Sequence, residues 1–396
     1  MRRFFAVIIG LVFFLAGVFK LADPVGATLV VEEYLKFFHL RFLLGGAGFI
    51  AVFMALLEAL TGAALITGVF RKAAAIAVSS LTVLFTILTF FIWRANPDFD
   101  CGCFGEVVHL SHLQTFLKNI VLLALCAIAF LPWRTIGKGK GHKVVAFFLV
   151  AAALLALCIH SLLYVPLVEF TPFKYSSRLS AASDEAVEQP VLTYIYQKNG
   201  QEGIFTLDRL PDSTWTFVRT EERLKQNSLD TKYHPDLSIR NMKGEYCDSV
   251  AIKDRVLAIS VYNPSKLDSQ KWDAIAQTLS RAADNGFTPM LILASSPEKA
   301  SSDIGGSASL KEQMLSCAYF SDYKTVISFN RSNGGATYIN DGNIIEKWGR
   351  RALPKAKELG KLARKDETDA MIGASTKGRL TFQAFLLYSF AVMMLV

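Results

Sequence analysis

Phe4–Ala22 reads FFAVIIGLVFFLAGVFKLA, an unbroken apolar run that carries one charge. A bilayer crossing takes about 20 helical residues, and this run has that length. Arg2 and Arg3 precede it, as they would a signal peptide. The run ends in Phe19-Lys20-Leu21-Ala22-Asp23-Pro24 with no small-x-small cleavage pattern, so it reads as a retained helix. Four more such runs follow at Gly45–Val69, Ala73–Trp93, Leu113–Trp133 and Val144–Val168. A shorter run, Leu380–Val396, is expected to span as well, the alternative being a tail packed on the membrane surface. Residues 170–379 read as an ordinary water-soluble domain. The mean hydropathy of +0.34 over 396 residues therefore averages two regimes, a membrane bundle and an appended globular domain.

Lysine and arginine placement predicts the orientation. Arg2 and Arg3, then Arg71 and Lys72, then Arg134, Lys138, Lys140 and Lys143 all fall on one side if the N-terminus is cytoplasmic. The opposite loops are acidic or mixed, with Asp23, Glu32 and Glu33 in one and Asp98, Asp100 and Glu106 in the other. Lys377 and Arg379 run mildly against the scheme. This topology accounts for most of the +8 net charge, and no nucleic-acid role is called for. In the first outward loop, Val30–Phe38 is apolar at helical spacing. It predicts a short amphipathic helix lying at the interface, with a substrate gate as the alternative.

The second outward loop holds Cys101-Gly102-Cys103-Phe104-Gly105. Thiols one residue apart can form a disulfide, bind a soft metal or cap a turn. The outer compartment permits disulfides. A Cys-Gly-Cys disulfide closes a very small ring, and strain in such a bond suits an oxidant better than a staple. Gly102 supplies the backbone freedom such a ring demands. The metal alternative rests on Cys101, Cys103, His109 and His112, which is not a recognised zinc framework. Cys126 and Cys158 fall within apolar runs and read as small buried residues, while Cys247 and Cys317 read as separate thiols of the soluble domain, the alternatives being a pair with each other or exchange with the Cys101/Cys103 pair. A membrane dithiol oxidase needs an electron acceptor, for which a quinone in an apolar slot with polar groups at its end is the obvious candidate. Lys20, Glu58, Gln114, Lys118 and Asn119 are the candidate polar groups, with Lys118 as a partner for the intramembrane Glu58. Lys20 is alternatively a snorkelling residue, and Gly45, Gly46 and Gly48 read as permitting close helix contact.

Three motifs carry a family resemblance. Phe14-x-x-Gly17-x-x-Lys20-x-x-Asp23-Pro24, Leu57-Glu58-x-x-x-Gly62, and Asp100-Cys101-Gly102-Cys103-Phe104-Gly105 followed by Gln114-Thr115-Phe116-x-Lys118-Asn119 resemble the DoxX/MauE-like bacterial membrane proteins over about residues 1–135. The resemblance implies a four-helix bundle. It also implies either periplasmic disulfide formation or quinone-linked sulfur oxidation. The soluble domain resembles the thioredoxin-like domain appended in one subgroup. Strands at Leu192–Tyr196, Trp215–Arg219, Val256–Tyr262 and Pro289–Ala294, a helix at Gln270–Asn285, and a hairpin of Ala336–Ile339 and Ile344–Trp348 are compatible with that fold; pattern alone says only α/β. Where a thioredoxin carries Cys-x-x-Cys this chain has Asn263-Pro264-Ser265-Lys266, and glycine stands near the cis-proline position, in Asn333-Gly334-Gly335-Ala336.

The expected protein is thus a membrane α-helical bundle, a four-helix DoxX/MauE-like core in residues 1–135 plus extra transmembrane helices at 136–169 and 380–396. It carries an α/β thioredoxin-like soluble domain in 170–379, with its core at about 235–355. It sits in the bacterial inner membrane with that domain periplasmic. The expected function is quinone-linked thiol–disulfide or sulfur-linked electron transfer from a periplasmic protein client or small thiol, with Cys101 and Cys103 catalytic. Glu58, Lys118, Gln114 and Lys20 would bind the membrane quinone. The alternative is a membrane binding or assembly protein that docks a client without turnover.

Overall fold

The first apolar run folds as α1 (Arg2–Ala22) and stops at Asp23-Pro24. Proline has no N–H for the helical ladder, and it opens α2 (Pro24–Phe37) instead, where Asp23 accepts the backbone N–H of Gly26 at 2.9 Å as N-cap. A 3-10 turn at Arg41–Gly46 leads into α3 (Ala47–Thr67), followed by α4 (Arg71–Ala95), a short strand β1 (Cys103–Glu106), α5 (His112–Phe130) and α6 (Val144–Leu163). This computed structural model describes residues 1–396 except 98, 100–101, 107–109, 134–135, 138, 140, 181–190, 199–200, 207–210, 212–213, 224–234 and 396. Among the described residues, the five segments Arg2–Ala22, Arg41–Thr67, Arg71–Ala95, His112–Phe130 and Gly141–Leu163 are long and apolar enough to cross a membrane. The protein is a membrane helical bundle with an appended mixed-sheet domain.

The closest helix crossing in the bundle is α1 on α3. A Cβ on Gly17 would lie 2.5 Å from the Ala59 nitrogen and 2.6 Å from the Ala55 oxygen, and one on Gly62 would lie 2.5 Å from the Gly10 oxygen. Small residues let the two backbones touch, which is how apolar helices associate where no hydrophobic drive separates them from lipid. Gly45 and Gly46, expected to serve such contacts, have nothing within 4 Å of a built Cβ, and Gly48 meets only the Thr28 side chain at 3.6 Å. They lie at the start of α3 and just before it, outside the crossing. Arg3 donates to the Leu65 and Ile66 carbonyls at 2.6 Å, Arg2 to that of Leu131 at 2.7 Å, and Lys143 to Met393 at 3.1 Å. Cations on helix C-terminal carbonyls gather at one end of the bundle, as the charge pattern requires. Arg134, Lys138 and Lys140 lie outside the described residues.

In the appended domain, β2 (Val191–Lys198), β3 (Gln201–Thr206) and β4 (Thr216–Arg223) form an antiparallel sheet in the order β3-β2-β4, so a strand joins the two expected there. A short α7 (Ser249–Ile252) precedes β5 (Arg255–Val261), α8 (Ser269–Asp284) and β6 (Thr288–Leu293). Then come α9 (Pro297–Asp303), α10 (Ala308–Ser316), β7 (Ala318–Phe320), α11 (Tyr323–Phe329), the hairpin β8 (Gly335–Asn340) and β9 (Asn343–Trp348), and α12 (Ala356–Leu362). The five-stranded sheet has the order β7-β6-β5-β8-β9, with β5, β6 and β7 parallel and β8 and β9 antiparallel. Central β5 is covered on both faces, which is why it reads as a near-continuous apolar run, broken within by Ser260. Leu257, Ile259 and Val261 pack on Trp272 and Ile275 of α8, while Val256 and Ala258 face Val326 and Phe329 of α11.

The last helix, α13 (Glu367–Leu395), begins well before the expected Leu380. Its first turns pack Ala370 into the sheet domain's core, and its C-terminal half packs Phe382 and Met393 against α1, α3 and α6. It is not among the five helices with the hydropathy of a span.

On β9, burial pushes the Glu346 carboxyl up, and the nearby Glu358 adds to this. A raised native value means the folded state holds this proton more tightly than the unfolded one, so stability falls as pH rises through that window. Glu346→Gln is therefore expected to raise Tm at pH 7, with the gain shrinking as pH falls through the raised native value and gone below the ordinary value of 4.5. Thermal unfolding across pH checks this; a pH-independent difference contradicts it.

Candidate functional site at the cysteine loop

Lys20 ends α1 on the face that meets α3, three residues beyond the Gly17 contact, and Glu58 lies on α3 four residues before Gly62. The close crossing therefore brings them together. Lys20 Nζ donates to both Glu58 oxygens, at 2.7 and 2.8 Å, and the glutamate side chain is 2% exposed. An ionised carboxylate this deep requires such a partner. The expected partner was Lys118 and the expected alternative for Lys20 was snorkelling. The structure corrects both, because α1 and not α5 passes Glu58 at backbone contact. The ammonium also lies 5.6 Å from the centre of the Phe85 ring.

This ion pair opens on a cavity of about 330 Å³ among α1 to α5, with walls that are almost wholly apolar, among them Val12, Phe13, Met54, Phe85 and Leu122. Lys118, Asn119 and Thr89 add polar atoms. Asn119 donates to the Thr89 hydroxyl at 3.1 Å and the Phe85 carbonyl at 3.3 Å, tying α5 to α4. Gln114 is not on this cavity. It is exposed and completes a capping box with Ser111, a use that its position three residues into α5 explains.

Gly102 and Cys103 line the same cavity. Gly102 has φ +58°, and a Cβ there would lie 2.6 Å from both Val30 methyls, so only glycine fits the loop against α2. The Gly105 N–H donates to the Gly102 carbonyl at 3.0 Å and closes the turn. Cys103 is half-buried and carries a free thiol. Cys101 and His109 lie outside the described residues, as do Asp98, Asp100 and the Glu106 side chain. His112 places Nε2 2.9 Å from the Pro97 carbonyl. Among the described residues no three potential ligands group as a metal site.

The helix α2 is more than an interfacial helix. Val30, Val31 and Tyr34 face the cavity. At its start Asp23 forms a buried pair with Arg331, whose Nε and Nη2 lie 3.0 and 2.9 Å from Oδ2. Sequence reasoning missed Arg331, which lies 308 residues from its partner. The only signal was Asp23-Pro24 itself, a motif with a polar residue at the edge of a span.

In the sheet domain, Asn263-Pro264-Ser265-Lys266 follows β5 as a 3-10 turn. Asn333 accepts from the Tyr262 and Asn263 N–H groups at 3.0 Å and donates to the Asn263 carbonyl at 2.8 Å, pinning it. Burial pushes the Cys317 thiol up to about 11, and burial with Asp248 and Glu245 raises Cys247, so neither forms a thiolate readily. Both are free thiols.

No curated protein and no solved structure matches the chain. Residues 190–227, which hold the three-stranded sheet, match a domain of unknown function (DUF8463). Residues 2–132, which build α1 to α5, the cysteine loop and the cavity behind it, match the family model of the methylamine utilisation protein MauE, and this part of the chain is similar to that membrane family.

Proposed function

We propose that the MauE-like bundle transfers electrons from external thiols to a membrane quinone through Cys101 and Cys103. The observation that carries this reading is Cys103 on the wall of an apolar cavity that also holds the Lys20–Glu58 pair. The volume of about 330 Å³ falls at the small end of ligand pockets, and apolar walls with few convergent polar groups suit a quinone ring. A bound quinone would supply the sink for the two electrons and two protons released when two thiols become a disulfide. Lys20 and Lys118 are the donors that would hold a carbonyl oxygen, Glu58 orients Lys20, and Asn119 holds α5 to α4 beside them. Gln114, as part of the helix cap, takes no part.

The sheet domain is read as thioredoxin-like. Its support is the strand order β6-β5-β8-β9 with β5 and β6 parallel and the hairpin antiparallel, joined by α8. With Asn263-Pro264-Ser265-Lys266 in place of a dithiol, it would hold a periplasmic client without reacting with it. The N-terminus is cytoplasmic in this reading, in the bacterial inner membrane.

Maleimide trapping in intact cells tests the proposal. The Cys101/Cys103 pair is expected to accumulate as dithiol when respiration is blocked. Purified protein in lipid discs is expected to reduce a short-chain quinone at the expense of a dithiol, and Cys103→Ser to abolish this. A pair whose redox state never changes, or full client maturation by the Cys101→Ser, Cys103→Ser variant, leaves the non-catalytic docking protein as the better account.

A further inference from the structure

The helix α2 presents different faces to two parts of the protein. Ala27, Val30, Val31, Tyr34 and Leu35 line the cavity, and Val30 is the surface on which Gly102 sits. Its first turn is clamped from outside. Arg331 is 2% and Asp23 5% exposed in their side chains, and Gly26 leaves room for the guanidinium, since a Cβ there would lie 3.0 Å from Arg331 Nη2. The arginine is in turn fixed to the sheet. Its neighbour Asn330 donates to the Ala336 carbonyl and the Thr337 hydroxyl at 3.0 and 3.2 Å, and the Arg331 carbonyl accepts from the Tyr262 hydroxyl at 3.3 Å. A continuous path thus runs from the sheet, through a buried ion pair, along one helix, to the backbone beside Cys103.

We propose that Asp23 and Arg331 are positioning residues for the thiol chemistry, holding α2, and through Val30 the Gly102–Cys103 turn, against the cavity. The inference rests on Cys103 being the reacting thiol. A client seated on the pinned turn at Asn263–Lys266 would act on the same path, because Asn333 joins that turn to the segment carrying Arg331. Two other pairs join the parts among the described residues: Lys324 with Glu33 at 3.2 Å is exposed on the lysine side and contributes little, and the buried Lys347 with Glu169 at 2.9 Å ties β9 to the segment after α6 and not to α2.

The test uses the full chain in lipid discs, with Cys101, Cys247 and Cys317 replaced by serine, and reads the maleimide labelling rate of Cys103. Asp23→Asn retains a side-chain oxygen for the Gly26 cap but loses the charge. It and Arg331→Gln are each expected to raise the rate roughly fivefold or more, because each leaves one buried charge unpaired. The double variant restores a neutral hydrogen-bonding pair and is expected to return to within about twofold of the parent; Glu33→Gln is expected to stay there throughout. Single-variant rates within about twofold of the parent overturn the proposal, as does a double variant no slower than the faster single one. Should the singles not fold, Arg331→Lys, which keeps the charge and one contact, decides: an intermediate rate supports the proposal and a parental rate overturns it. Labelling requires no quinone. Responsive labelling with turnover indifferent to Cys103→Ser sinks the electron-transfer reading alone. Unresponsive labelling with Cys103-dependent turnover sinks the positioning role alone.

Discussion

Lys20→Met is expected to cost the bundle about 3–5 kcal/mol, the range for removing one member of a buried ion pair. Methionine keeps the length and apolar contacts of the lysine stem, so the loss reports the stranded Glu58 carboxylate and not a hole. That carboxylate is 2% exposed and receives both of its short hydrogen bonds from Lys20. Adding Glu58→Gln to Lys20→Met removes the stranded charge, and stability should return most of the way. Electron transfer should not return, since the Lys20 ammonium is absent from both variants. Thermal unfolding in detergent and quinone reduction in discs measure the two effects separately. A Lys20→Met variant as stable as the parent would contradict the pairing.

Gly62→Ala is expected to do comparable damage by a different route. The added methyl would sit 2.5 Å from the Gly10 carbonyl and against the Phe14 backbone nitrogen, so helix backbone, not a flexible side chain, must move. Overpacking of ordinary cores costs about 1–3 kcal/mol, and a backbone obstacle places this substitution at or above the top of that range. Parting the helices would also lengthen the Lys20–Glu58 pair one turn away, so quinone reduction should fall along with Tm. Gly46→Ala is the control, with open space around its Cβ, and should be near neutral. Equal Tm values for the two variants would show that the crossing does not depend on glycine.

The sequence reads most clearly where a local pattern has a single structural outcome. The five long apolar runs became helices because a segment of that length in a bilayer has no other way to satisfy its backbone. Val256–Tyr262 became the central strand because an apolar run broken only by Ser260 is buried on both faces. The helix α11 was less legible: it is a single short stretch whose start is set by Asp322, which accepts from the Lys324 and Thr325 N–H groups. Gln114 looked like a cavity residue from its neighbours Lys118 and Asn119, yet a serine three residues before it claimed its side chain for the cap.

From sequence alone came the two regimes of the chain, the basic end of the bundle, the cysteine loop between the third and fourth spans, and the set of polar residues available to a site. Each follows from nearest-neighbour chemistry: hydropathy, charge beside a span, and glycine where the backbone must turn. Which charges meet was decided only by the tertiary structure. Lys20 finds Glu58 across 38 residues because glycines bring α1 and α3 into contact, and Asp23 finds Arg331 across 308 because the sheet domain closes on the first turn of α2. Ion pairing in a low-dielectric interior depends on distances of a few ångströms, and those distances are set by the packing of whole helices.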